Sequence, residues 1–405
     1  MSNATAVSGG PGQVVRSARA GRTPPMVTHE IVVPEMIEPS GLQVRERQLP
    51  PLGPSDVLIR MEATGVSYAE IAMLRGHYPG QPAFPFVPGY DIVGRVIGVG
   101  ANVTPALSGK RVATITETGA WADLVIRPEH ELVIVPDDLD PAEVDTLVVN
   151  GVTAHKMLHR VAKVRAGQTI VVLGAGGGVG TMLVQLARLA GVNVIGTCKP
   201  AQRAAVEALG ARVVDYTRER VLEDVRALAP DGVDAVFDHV GGESLRSSFV
   251  LLRSGGILVC YGNMEASKKT TAPWVAFLGA FLGFFALKAL WSFRPGGRTM
   301  TFFDVWGRGT FGADRMFRPA RFWREFRADL GHLLGLLSAG KLQAHVAHRV
   351  PLLQAAEAMA MHKAGGFTGK IVLEGKGLPT TRSETASFSD ARSSTAALHR
   401  RSTLA

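Results

Sequence analysis

The sharpest chemical signal in the chain is a run of seven residues, Gly174-Ala175-Gly176-Gly177-Gly178-Val179-Gly180. It follows an apolar, β-branched stretch at 169–173 (TIVVL) and leads into a helical pattern through Gln185 and Arg188. Strand, glycine turn and helix, in that order, is the arrangement that binds a dinucleotide pyrophosphate. One glycine makes the tight turn, another lets the backbone approach the phosphates, and a third lets the helix pack on its strand. The helix N-terminus then offers unpaired N–H groups and partial positive charge. The spacing is G-x-x-G-x-x-G (Gly174, Gly177, Gly180) rather than the commoner G-x-G-x-x-G. Glycines this dense sacrifice backbone entropy that an idle turn would keep.

Which dinucleotide binds is read at the end of the next strand. An NAD site wants an acid there for the ribose hydroxyls, whereas the extra phosphate of NADP repels an acid and favours cations. This chain has Gly196-Thr197-Cys198-Lys199-Pro200-Ala201-Gln202-Arg203, with no acid. The small Gly196-Thr197 pair leaves room, and Lys199 and Arg203 supply charge, so NADPH is the expected cofactor. The competing reading is that Lys199 and Arg203 are solvated charges at a helix start.

These residues need a scaffold. From Asn150 onward, strand-like runs at 169–173, 192–196, 211–214, 233–238 and 256–260 alternate with helical stretches near 178–190, 201–210, 218–228 and 242–252. That rhythm predicts an α/β fold, a doubly wound parallel sheet with helices on both faces. The first folded third differs. Short strand-like runs at 44–49, 56–61, 92–99, 111–115 and 132–135 are separated by Gly and Pro clusters, which predicts a compact β-barrel domain. Beyond Cys260 an unusually apolar segment intervenes. A helix at 321–338, a strand near 344–350, an Ala-rich helix at 352–363 and a last strand at 370–373 then follow.

A length of 405 residues suits two domains. The net charge of +9 and pI near 9.8 invite a nucleic-acid reading, but the charge lies mostly in the ends. Residues 1–26 carry Arg16, Arg19 and Arg22 without an acid. Residues 375–405 carry five cations against Glu384 and Asp390, so each end holds +3 and the centre only +3. Both ends lack apolar periodicity and are expected to be disordered. Met26 as the true start is preferred over a transit peptide for the first of them. No aromatic and basic residues interleave in the core, so no nucleic-acid partner is expected. Two cysteines, Cys198 and Cys260, make neither a disulfide framework nor a four-cysteine zinc lobe, and point to a reducing, cytoplasmic setting.

Several stretches carry a family likeness. They are Gly65-Val66-Ser67-Tyr68-Ala69-Glu70; Phe86-Val87-Pro88-Gly89-Tyr90-Asp91; Gly151-Val152-Thr153-Ala154-His155; the run from Val164 through the glycine turn to Gln185; Val233-Asp234-Ala235-Val236-Phe237-Asp238 with Gly241-Gly242; and Gly369-Lys370-Ile371-Val372-Leu373. In this order the chain resembles the medium-chain dehydrogenase/reductase superfamily, and within it the zinc-independent quinone oxidoreductase branch. The resemblance implies a GroES-like substrate domain at 27–150 and 344–374, a Rossmann NADP-binding domain at 151–343, and tails at 1–26 and 375–405. It places the active site in the cleft between the domains and implies a homodimer. By position, Tyr216 and Arg203 would meet the 2′-phosphate and Thr153 would lie near the nicotinamide. Asn263, Phe367 and Lys370 would lie near the other end of the cofactor.

The departures from the zinc-dependent relatives set the chemistry. Those relatives place a cysteine where Ser67 stands and Gly-His-Glu where Gly89-Tyr90-Asp91 stands, and no cysteine here precedes Cys198. Serine and tyrosine are poor zinc ligands, so no metal is expected. Without a Lewis acid to polarise an alcohol, the accessible chemistry is hydride delivery to a quinone or an α,β-unsaturated carbonyl, where conjugation spreads the developing charge. Tyr68 or Tyr90 would donate a hydrogen bond to the developing oxyanion, with the proton coming from water or one of these phenols. The alternative is that both tyrosines simply line the cleft. Ser67 and Glu70 stand where many quinone reductase relatives have Asn and Asp.

The apolar segment carries no charge from 274 to 287 and is followed by Lys288, Trp291, Arg294 and Arg298. At 14 residues it falls short of the roughly 20 a spanning helix takes. Three readings stay open: a cover over a pocket for a small hydrophobic substrate, a dimer contact, and a shallow membrane contact through 274–291. Two functions follow from the whole reading. One is an NADPH-dependent reductase of hydrophobic quinones or enones. The other is a dinucleotide-binding, lipid- or membrane-associated protein with little catalysis, of the vesicle-associated type.

Overall fold

An eleven-residue strand, β3 (Asp56–Val66), is the axis of the N-terminal half of the computed structural model. The structure describes residues 26–78, 80–262, 283–289, 291, 296–307 and 319–375. Val57, Ile59, Met61 and Ala63 alternate along β3 into the core, as a half-buried antiparallel strand requires. On one side β3 pairs with β4 (Asp91–Val99), which continues to β5 (Arg111–Ile115) and β7 (Val133–Val135). On the other it pairs with β15 (Lys370–Glu374) and through it with β14 (Val346–Pro351), while β6 (Leu124–Pro128) also joins β3. The N-terminal strands β1 (Val27–Val32) and β2 (Gln43–Gln48) form a separate antiparallel pair.

The second sheet is wholly parallel and runs β10-β9-β8-β11-β12-β13. Its strands are β8 (Thr169–Val172), β9 (Asn193–Cys198), β10 (Arg212–Asp215), β11 (Val233–Asp238), β12 (Leu252–Cys260) and β13 (Thr299–Phe302). In local numbering that is the order 3-2-1-4-5-6 of a doubly wound dinucleotide-binding sheet, and the switch point falls beside β8. All six residues of β11 are buried, the signature of a strand covered on both faces. Helices α4 (Gly178–Leu189), α5 (Arg203–Ala208), α6 (Val221–Leu228) and α7 (Ser244–Val250) connect the strands. The expected α/β fold with a β-barrel-like partner is what the chain adopts.

One element cuts across the expected domain boundary at 150. A helical run starts at Pro141, where Asp140 caps it by accepting from the Glu143 N–H at 3.0 Å. It is α-helical over Pro141–Thr146 (α2) and Val152–His155 (α3), and π-type over Leu147–Gly151 and Lys156–Ala162. The run packs on β3 and β15 at its start and on α4 further along. The helix α8 (Pro319–Ser338) packs on it, and Leu333 lies so near Gly151 that a side chain there would be at 3.1 Å. A last helix, α9 (Ala355–Ala364), leads to β15.

The expected tails lie outside the described residues apart from Met26 and Gly375, as do Asn263 and positions 274–282 of the apolar segment. The described end of that segment packs inward. Phe284 and Trp291 are buried, and Trp291 stacks on Phe249 of α7 at 3.8 Å. Trp291 is thus spent on the sheet domain's core and is not offered to a bilayer interface. No described helix is long and apolar enough to cross a membrane.

Candidate functional site

The glycine turn is held by its neighbours before any ligand is considered. Gly174 takes φ +64°, a left-handed conformation that glycine adopts without strain. Its N–H donates to Thr197 Oγ1 at 3.2 Å, and the Ala175 N–H donates to the Thr197 carbonyl at 2.8 Å. Thr197, expected beside the cofactor, is instead a buried brace of the turn. Gly177 caps α4 with no side-chain hydrogen bond, so the first-turn amides of Gly178, Val179 and Gly180 lack an intrahelical acceptor.

The glycines of the turn differ in the room their surroundings leave. An added Cβ would fall 2.5 Å from His239 at Gly174, 2.5 Å from Gln202 at Gly176, 2.2 Å from Asn150 at Gly178 and 2.3 Å from the Gly174 carbonyl at Gly180. Those four are filled by the protein itself. At Gly177, which is exposed, a Cβ would meet only the Gly174 carbonyl, at 3.3 Å. Bare backbone on the outer side of a helix N-terminus is what an approaching pyrophosphate needs, so the residues present fit the dinucleotide.

At the ends of β9 and β10 the Tyr216 N–H donates to the carbonyl of Cys198 at 3.4 Å, which sets the Lys199 and Tyr216 backbones at neighbouring strand ends. Lys199 has no carboxylate partner among the described residues, and Tyr216 is 44% exposed. Arg203 behaves differently. Its guanidinium donates to Glu207 at 2.9 Å and to the Val213 carbonyl at 3.2 Å. Both bonds come from Nη1 alone and tie Arg203 to its own helix and the edge strand.

The two sheets meet at the turn. The Gly369 N–H donates to the Gly176 carbonyl at 3.0 Å, and Gly177 and Gly369 form a bridge. Gln202 reinforces the junction through the Phe367 carbonyl at 2.5 Å. The Phe367 ring itself packs edge-on to His348 and His362. Lys370 is corrected outright. Expected near the cofactor, its ammonium is instead buried between Asp91 (2.6 Å) and Asp145 (2.8 Å). Burial alone would depress it, but Asp145 and Asp91 outweigh that and hold it above the ordinary lysine value. Burial, then the charge of Asp91, pushes Asp145 well above the usual carboxylate range. Gly65 makes room for the lysine, since a Cβ there would fall 2.0 Å from Lys370 Cε.

Ile371 lies opposite Val66 in the β15–β3 ladder. The next residues along, Ser67 and Tyr68, are thereby carried to the level of Gly369 and the glycine turn. Ser67 caps α1 (Tyr68–Leu74) in a reciprocal box with Glu70. Glu70 Oε2 accepts from the Ser67 N–H at 2.9 Å and from Ser67 Oγ at 2.5 Å, and the Glu70 carboxyl is fully buried. Burial pushes Glu70 up to about 7 against the Ser67 hydrogen bond, and Asp91 adds to the rise. Tyr68 is partly buried, which raises its phenol. Tyr90 needs correction as a donor facing substrate. It is buried, and its hydroxyl sits between the Trp306 indole N–H and the Tyr78 hydroxyl. Tyr90 therefore orients Tyr78. Thr153 is buried on α3, one turn beyond Asn150.

Several site residues escaped the sequence reading: Asn150 and His239, which flank the turn, and Gln202, Tyr78 and Trp306. His239 follows β11 directly, at a strand's carboxyl end beside the switch point. That position, where ligands bind in such sheets, was the available signal. Asp238 anchors this loop by accepting from Val240, Gly241, Ser244 and Ser248.

Two family models match the chain: an alcohol dehydrogenase GroES-like domain over residues 53–137 and a zinc-binding dehydrogenase domain over 209–373. Among the described residues no group of three or more His, Cys, Asp or Glu is placed to hold a metal ion. The synaptic vesicle membrane protein VAT-1 homolog of Homo sapiens is 31% identical over 55% of this chain. The match spans 57% of that relative, so the chain covers a little over half the length of these vesicle proteins. A quinone oxidoreductase of Pseudomonas aeruginosa is 30% identical over 83% of this chain and 96% of its own length. A mycobacterial protein solved with NADPH superposes with a TM-score of 0.70 at 29% identity, over 86% of this chain and 99% of that one.

Proposed function

Because the chain belongs to the medium-chain dehydrogenase/reductase superfamily, in its zinc-independent quinone oxidoreductase-like branch, we propose that it is an NADPH-dependent reductase of quinones or α,β-unsaturated carbonyl compounds. The observation that carries the reading is the open face at Gly177 over the uncapped N-terminus of α4. When bound, NADPH supplies a hydride to the acceptor. The amides of Gly178, Val179 and Gly180 hold the pyrophosphate, Lys199 and Tyr216 the 2′-phosphate, and Thr153 the nicotinamide side. Tyr68 donates a hydrogen bond to the oxygen on which negative charge develops. The partly exposed Tyr78 ring, backed by the buried Tyr90 and Trp306, supports a hydrophobic acceptor.

The test is to follow the loss of NADPH absorbance with purified protein against panels of quinones, enals and enoyl thioesters, each with short and long apolar substituents. Turnover with one class supports the reductase. The likeness to vesicle proteins favours a second reading, a nucleotide-binding protein with little catalysis, and tight NADPH binding without turnover of any class would select it. Small polar enones turning over as well as lipophilic ones would remove the hydrophobic-acceptor part.

Two substitutions probe the assigned roles. Lys199→Ala removes a charge-assisted contact worth about 1.5–3 kcal/mol, so the dissociation constant for NADPH should rise about 10- to 100-fold while that for NADH stays put. Equal weakening of both would place Lys199 elsewhere. For Tyr68→Phe, kcat should fall about 10²-fold with KM little changed, the pattern of a lost oxyanion donor. An unchanged kcat with every accepted substrate would remove Tyr68 from that role.

A further inference from the structure

We propose that Ser67 and Glu70 form a two-residue proton relay, in which the buried Glu70 carboxyl recharges the Ser67 hydroxyl as that hydroxyl protonates the reduced substrate. This rests on the reductase reading and supplies what that reading leaves open, the source of the proton.

The geometry is on one turn of helix. Ser67 Oγ and Glu70 Oε2 are hydrogen-bonded at 2.5 Å, and the Ser67 N–H holds the same oxygen at 2.9 Å. The other oxygen, Glu70 Oε1, is buried with no hydrogen-bond partner. A capping glutamate ordinarily lies at the surface, where water satisfies the second oxygen. Here the whole side chain is enclosed, and a bare, buried carboxylate oxygen is costly unless the group carries a proton. The charged neighbours agree. Asp91 faces the site from β4 and Asp145 from α2, with Lys370 of β15 bonded to both. Lys370 is thus already engaged by Asp91 and Asp145, and no ion pair joins Glu70 to a cation among the described residues. The shift of Glu70 to about 7 has the same origin, burial first and Asp91 next.

Ser67 is the outlet. It is partly exposed, and the β3–β15 register sets it level with the Gly369–Gly176 junction, where the cofactor turn meets the substrate domain. A hydride adds to the conjugated carbon of the acceptor, and the π electrons move to its carbonyl oxygen. Ser67 gives its hydroxyl proton to that oxygen as its hydrogen bond with Glu70 reverses, so that the proton of the acid form, carried on Oε2, passes to Ser67 Oγ. Glu70 is left as a carboxylate and regains a proton from water, through Ser67, after product leaves. The sum is acceptor, NADPH and one proton in, with reduced acceptor and NADP out.

The acid form is the working form, so single-turnover reduction should be fastest below about pH 7 and fall as pH rises through it. Glu70→Gln keeps an oxygen for the Ser67 N–H but has no proton to give. Its rate at pH 6 should drop about 10²-fold and lose the pH dependence, with NADPH affinity by fluorescence unchanged. Ser67→Ala should behave alike, and Ser67→Thr should restore both rate and profile. Infrared difference spectra between pH 5 and pH 9 provide a readout free of turnover. The protein should show a protonated-carboxyl carbonyl band that titrates near neutrality and is absent in Glu70→Gln. Either a missing band or a wild-type rate and profile in Glu70→Gln overturns the relay while leaving the reductase standing. A wild-type protein that binds NADPH and reduces nothing overturns the reductase reading, and the relay with it.

Discussion

Gly180→Ala is expected to cost the protein both stability and its nucleotide, whereas Gly177→Ala, three positions earlier, is expected to cost only the nucleotide. At Gly180 the new Cβ would stand 2.3 Å from the Gly174 carbonyl oxygen and 2.7 Å from Ala175 Cα. Both are backbone atoms of a turn braced by Thr197, so neither can yield without opening the turn. Overpacking of this kind costs up to about 3 kcal/mol, and alanine's better helix propensity returns only about 1 kcal/mol. Urea unfolding should show a net loss near 2 kcal/mol, and NADPH binding should weaken about 10²-fold or more as the first-turn amides lose their alignment. At Gly177 the backbone (φ −79°, ψ 171°) suits alanine, and the only near atom is at 3.3 Å. Stability should change by no more than about 0.5 kcal/mol. The methyl group would nonetheless occupy the approach to α4, and the dissociation constant for NADPH should rise at least about tenfold. Wild-type affinity in Gly177→Ala would move the phosphates off this face.

Lys370→Met should destabilise the fold by about 3–5 kcal/mol, the cost of leaving buried charges without their partner. Methionine fills much of the same space beside Gly65, so the loss is chiefly electrostatic. Asp145 gives the sign of the pH dependence. Its folded-state pKa is already raised by burial and by Asp91, and removing Lys370 raises it further. A group with a raised carboxyl pKa favours the fold when protonated, and that support fades as pH climbs through the folded value. The deficit of Lys370→Met relative to wild type should therefore be larger at pH 8 than at pH 5 in urea unfolding. Adding Asp145→Asn should recover part of it at pH 8. A deficit equal at both pH values would mean lost packing rather than uncompensated charge.

The parallel sheet was legible because its strands are covered on both faces and read as unbroken apolar runs. The stretch expected at 233–238 is the observed β11. The glycine turn was legible because each glycine gives up backbone entropy and so stands out. Strand β1 was missed, and the cause is specific. Glu30 points inward and is buried, clamped by Arg45 and Arg47 of β2, which breaks the alternation of apolar and polar residues. The helical run at 141–162 was missed because Leu147-Val148-Val149 and Val152-Thr153 are rich in β-branched residues, and tertiary packing against α8 overrides their preference. The side-chain partnerships of the site left no local trace. Lys370 lies 279 positions from Asp91, and Trp306 lies 216 from Tyr90. Arg203 shows the converse: a cation in the right place by position had a nearer partner four residues away, in Glu207.

The pairing of β15 with β3 has a consequence for how the protein is made. Ile371 and Val66 are neighbours in the sheet although about 300 residues separate them along the chain. While the polypeptide emerges from the ribosome, the Ala63–Val66 end of β3 lacks its partner on one side, and Asp91 and Asp145 have no lysine, until nearly all the described strands have been synthesised. The nucleotide-binding sheet suffers no such delay, because its strands follow one another closely. The substrate domain is therefore begun first and completed last, with an open strand edge exposed to aggregation in the interval. Release of the final strand closes that edge, neutralises the buried carboxylates and docks Gly369 on the glycine turn in a single event.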